Sequence, residues 1–211
     1  MNLNSLKVRV FILTIIFSIF SNASTILKND MLKQEVVSKI EIMAKELSDK
    51  VHINGYVIAT NEPFKVGYNL VKYSKNFELN MTKPYVLLIF APQSHITHKS
   101  NDRGRVAIIS SSKKIKKMYN YSDVLDSVID VIAVKDSNTL EDKHNIGVLQ
   151  GFSELCDEIA DNHNIKLKTT IPNDTKYFIF LLKVLVYIGS ILVAWMFMIR
   201  PIIMRIKNGK K

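Results

Sequence analysis

His95 and His98, with Asp102 a few residues on, bring two imidazoles and a carboxylate into one short polar stretch. Such a set could hold zinc or copper from a hairpin loop, but two histidines three apart in a loop are weak evidence, and they read first as solvent-exposed polar residues. Lys113, Lys114, Lys116 and Lys117, followed by Tyr119 and Tyr121, form a second constellation. It could meet anionic lipid or an acidic partner surface, or it is the wet face of a helix. Asp126 and Asp130 lie one helical turn apart just beyond it, with Asp123 before them, and read as solvated partners of neighbouring charges. Lys183 stands inside a long apolar run, where its stem can reach the headgroups or its ammonium can meet an acid on a partner membrane protein. Cys156 is the single cysteine, which excludes an internal disulfide. With no basic neighbour or CxxC partner to activate the thiol, it reads as a small buried residue and a redox enzyme is not supported. No P-loop, GxGxxG, GxSxG or HExxH occurs. No cofactor is expected.

The elements that must position these residues follow from periodicity. Leu32, Val36, Ile40, Met43 and Leu47 recur at helical spacing, with Lys and Glu opposite. Val51 to Thr60 is rich in β-branched residues, and Tyr56 to Ala59 has the unbroken apolar character of a strand buried on both faces. Phe64 to Phe77 is expected to be helical, with Phe64, Tyr68, Val71 and the Lys72 stem on one face. Tyr85 to Phe90 and Arg105 to Ser110 are short apolar runs joined by a polar loop with Asn101, Asp102 and Gly104, the pattern of a hairpin. Helical segments follow over Ser111 to Tyr119 and Tyr121 to Val134, the second with Val124, Val128 and Ile132 in one row. Asn138 and Glu141 make a capping box for a helix over about Leu140 to Ala160 that buries Leu149, Phe152, Leu155, Cys156 and Ile159. Together these elements predict an α/β fold: a three-layer α/β/α sandwich with a small central mixed sheet.

The two ends predict where that domain sits. Lys7 and Arg9, the apolar run Val10 to Phe20 and the small residues Ser21-Asn22-Ala23 read as a signal peptide over 1–23. Tyr177 to Ile199 is a run of 23 residues with Lys183 as its one charge, long enough for a C-terminal transmembrane helix. Residues 24–167 are then one exported domain, 168–176 a linker containing Pro172, and 200–211 a basic tail. The tail carries Arg200, Arg205, Lys207, Lys210 and Lys211, which predicts it on the cytoplasmic side and the domain outside. Charge bookkeeping agrees: 21 of the 29 Lys and Arg and all 19 Asp and Glu fall between Ser24 and Lys176, so the domain is near +2. The overall +10 is therefore no nucleic-acid footprint.

The order of elements resembles the TPM domain family, similar to the thylakoid lumen protein of photosystem II repair. The resemblance rests on Tyr85-Val86-Leu87-Leu88-Ile89-Phe90-Ala91, a polar loop, then Arg105-Val106-Ala107-Ile108-Ile109, and on the helix Ile146 to Ile159 with Gly147 and Gly151. It implies the layered fold and an exported domain anchored at a bacterial inner membrane. Family members that bind metal or act as weak phosphatases are thought to use acidic residues around the hairpin turns. Here Lys83-Pro84-Tyr85 replaces a D-N-G pattern, and Ser110, Ser111 and Ser112 replace a glycine-rich turn. A lysine is the wrong charge for a hard cation. The resemblance thus implies a non-catalytic binding module serving a membrane protein complex, with a metal-dependent phosphatase as the alternative.

Overall fold

A computed structural model describes residues 24–97, 103–172, 174–200, 203 and 209, with the side chains of 174–180 and 183 also outside the description. The expected signal peptide, residues 1–23, lies outside the described residues, as do His98, Asp102, the Lys183 side chain and most of the basic tail. The chain divides into two units, 1–171 and 172–211.

The first unit is a mixed α/β fold around a four-stranded sheet in the order β1-β2-β3-β4. Its strands are β1 (Ile26–Asn29), β2 (Asn54–Ala59), β3 (Tyr85–His95) and β4 (Arg103–Ser110). The first three are parallel, and β4 returns antiparallel to β3 in the expected hairpin. Tyr56 to Ala59 and Tyr85 to Ala91 are buried throughout. Alternate side chains there go to opposite faces, so both faces must be covered, which is why these runs are continuously apolar.

The two covers are unequal. Val57, Ala59, Val86, Leu88 and Phe90 join a core with α1 (Gln34–Val51), α3 (Lys113–Lys116), α4 (Tyr121–Ala133) and α5 (Leu140–Asp161). Tyr56, Ile58, Tyr85, Leu87 and Ile89 face the other way, against Phe64, Leu70, Tyr73 and Met81. Among the described residues, the helical elements on that side are α2 (Leu70–Ser74) and the 3₁₀ segment Lys75–Asn80.

Several local expectations are corrected. Phe64 to Gly67 is not helical; the Asn69 carboxamide accepts from Val71 N at 2.8 Å and starts the helix only at Leu70. The buried face is accordingly Leu70 and Tyr73, while Tyr68 and Val71 are exposed. Phe64 and Tyr68 instead stack within the loop, centroids 4.9 Å apart. The cap of α5 is Thr139, whose hydroxyl accepts from Asp142 N at 3.1 Å. Asn138 is spent one residue earlier, donating its backbone N–H to Asp136 Oδ1 at 3.1 Å in a local turn.

The stretch read as a linker begins as part of the domain. Leu167 and Ile171 pack on the main core, and Ile171 N donates to Ser153 Oγ at 2.7 Å. Lys168 N and Thr169 N both donate to the Glu46 carboxylate, each at 2.9 Å to one of its oxygens. Burial alone would push the Glu46 carboxyl up, but hydrogen bonds from Lys50, Thr169 and Lys168 more than offset it and hold the group down at about 2.

The second unit contains α6 (Asp174–Ala194), continued by a π-helical turn, Trp195–Ile199. Among the described residues no helix is long and apolar enough to cross a membrane. The expected span, Tyr177 to Ile199, includes 177–180 and 183, whose side chains lie outside the described ones.

Candidate functional site

In open α/β sheets ligands gather beyond the carboxyl ends of parallel strands. Here that place is filled by side chains of the chain itself. β1 delivers Lys28 and, just past its end, Asp30; the turn after β2 delivers Thr60 and Glu62; α2 delivers Tyr73. The Lys28 ammonium donates to Glu62 Oε1 and lies 3.4 Å from Asp30 Oδ2. Tyr73 OH donates to the same Glu62 oxygen at 2.9 Å. Thr60 Oγ1 donates to Asp30 Oδ2 at 2.8 Å, and Asn61 N adds a second bond at 3.1 Å. From β3, Ser94 Oγ reaches the Glu62 carbonyl at 3.4 Å. One ammonium, two carboxylates and a phenol thus tie β1, the turn after β2 and α2 together, with Ser94 adding β3.

The protonation states follow from these contacts. The hydrogen bond to Glu62 outweighs burial and raises Lys28 above its ordinary value. The same bond, aided by Tyr73, lowers Glu62 against the opposing effects of burial and Asp30. Burial would raise Asp30, but Thr60, Asn61 and Lys28 together bring it below its ordinary value. Burial and then the Glu62 carboxylate raise Tyr73. Every group is pushed further into the form it already holds near neutral pH, whereas general acids and bases need values close to it. The lysine stays a cation, so it is no nucleophile. The arrangement clamps; it is not poised to move a proton. A divalent ion seeking these hard oxygens would first have to displace the ammonium.

The residues singled out in the sequence are distributed differently. His95 ends β3, opposite Arg103 of β4, and the other two members of the proposed metal set are outside the described residues. No group of three or more His, Cys, Asp or Glu that could hold a metal occurs among the described residues. Lys113, Lys114 and Lys116 all lie on α3 and Lys117 caps it, so the structure does gather this set. All four are exposed, while Ile115 between them is buried and fixes the turn to the core. Beside them, a shallow depression of about 360 Å³ is lined by residues including Lys117, Asn120, Glu158 and Asp161. Lys83 pairs with Glu78 at 3.7 Å. Cys156 is fully buried, and burial pushes its thiol well above the ordinary value, as an inert core residue requires.

The strand-end cluster escaped the sequence reading because its members are scattered from position 28 to 73 and β1 was not foreseen. The available signal was Lys28-Asn29-Asp30 directly after two β-favouring apolar residues. No family model matches the chain, and no curated protein matches it.

Proposed function

We propose that this is a non-catalytic binding module of TPM-like fold, exported and held at a bacterial inner membrane by Tyr177 to Ile199, which helps assemble or maintain a membrane protein complex. The observation that carries the non-catalytic part is Lys28, seated between Asp30 and Glu62 at the strand ends where a reactive site would be sought. Two further features support the anchor. Leu185, Val186, Tyr187 and Phe197 are apolar and exposed along the second unit, a surface that water alone covers poorly. Arg200 and the basic residues after it supply the flank that stays in the cytoplasm. The TPM reading rests on element order, with β3 and β4 forming the hairpin on which the resemblance depends.

The alternative, a metal-dependent phosphatase, is tested on the purified full-length protein. Titration with Mg²⁺, Mn²⁺, Ca²⁺ or Zn²⁺ is expected to leave the unfolding temperature unchanged, and an aryl phosphate should not be hydrolysed above background. Metal-dependent stabilisation or hydrolysis that disappears in Asp30→Asn, Glu62→Gln or a His95→Ala/His98→Ala variant would replace the binding reading with the enzymatic one.

A further inference from the structure

Lys28, Lys33, Lys39, Lys50, Lys83 and Lys143 each pair with a carboxylate. Lys113, Lys114, Lys116 and Lys117 make no ion pair among the described residues, although they sit within five consecutive positions. They lie on a turn held to the domain: Ser112 Oγ accepts from Ile115 N at 3.3 Å, and Ile115 and Tyr119 are buried. Ser111 ties the start of this segment to β3, its N–H donating to Tyr85 O and its hydroxyl accepting from Tyr85 N, both at 2.9 Å. The segment thus presents four exposed cations, of which only Lys117 lines a depression shared with carboxylate residues.

We infer that this lysine quartet is a docking surface for anionic lipid headgroups. The inference rests on the anchored reading above. Charge complementarity selects the partner. A protein interface needs a buried aromatic or aliphatic centre ringed by polar contacts, whereas a headgroup surface asks only for clustered cations. Tyr121, which follows the quartet in the chain, is exposed, its hydroxyl donating to Val106 O at 3.1 Å. Glu158 and Asp161 line the same depression as Lys117, a depression whose lining does not include Lys113, Lys114 or Lys116.

The test uses full-length protein in nanodiscs of zwitterionic lipid, or of the same lipid containing phosphatidylglycerol, with amine-reactive labelling read lysine by lysine. Exposed Lys45 and Lys72 serve as internal references. Labelling of the quartet should fall about fivefold in the anionic discs, recover in high salt and leave the references unchanged. Equal labelling in the two lipids overturns the inference, and so does protection by soluble polyglutamate that anionic discs do not match, which would assign the surface to an acidic protein. Failure of the protein to enter either disc would refute the anchor itself, a result distinguishable from entry without protection.

Discussion

Truncating Phe152 to alanine should destabilise the domain by about 3–5 kcal/mol, read as a lower midpoint of urea unfolding with an unchanged slope. Phe152 is fully buried on α5 in the main core with Val57, Val86, Leu88 and Phe90 of the sheet and Leu47 of α1. Its ring closes on Gly55 of β2, where an added Cβ would lie 2.7 Å from Phe152 Cζ. The glycine has no side chain with which to fill the space, so the site relaxes poorly and the cavity cost adds to the lost transfer energy. Against a total of about 5–15 kcal/mol for a typical domain, the loss is large. A loss below about 1 kcal/mol would mean that α5 does not seat on the sheet as described.

The second large effect is expected at Gly151, also on α5. An alanine Cβ there would fall 2.2 Å from Val128 Cγ2 of α4, a contact no real pair sustains. Taken alone, glycine to alanine inside a helix is favourable by about 1 kcal/mol, so the sign of the result decides whether the helices truly approach this closely. Overpacking should win, with a net loss of about 2–3 kcal/mol. Adding Val128→Ala to Gly151→Ala should cost less than the sum of the two single losses, because the second change removes the atom that clashes. A stabilised Gly151→Ala protein would refute the α4–α5 crossing.

These residues show what was legible in the sequence. β2 and β3 were readable because a strand buried on both faces must be apolar at every position. The Phe152 helix was readable from its period, since Leu149, Phe152, Cys156 and Ile159 all prove buried. β1 was not, because it is a short edge strand, half exposed, and Lys28 and Asn29 interrupt any apolar pattern. Ala91 to His95 read as loop yet belong to β3, which stays paired with β4 to His95 although Gln93, Ser94 and His95 break the apolar run. The quartet around Ile115 was visible because it is contiguous. The Lys28 cluster was not, because β1 and its end, the turn after β2 and α2 bring its members together and no local spacing encodes that meeting.

We propose that the domain binds a membrane complex and performs no chemistry of its own. Full-length protein carrying a C-terminal tag should be extracted in mild detergent and purified beside a variant that lacks residues 24–171 but keeps the signal and the expected anchor. The account predicts that a discrete membrane complex accompanies only the protein that retains the domain. Purification of both forms without companions, or with the same ones, would contradict it.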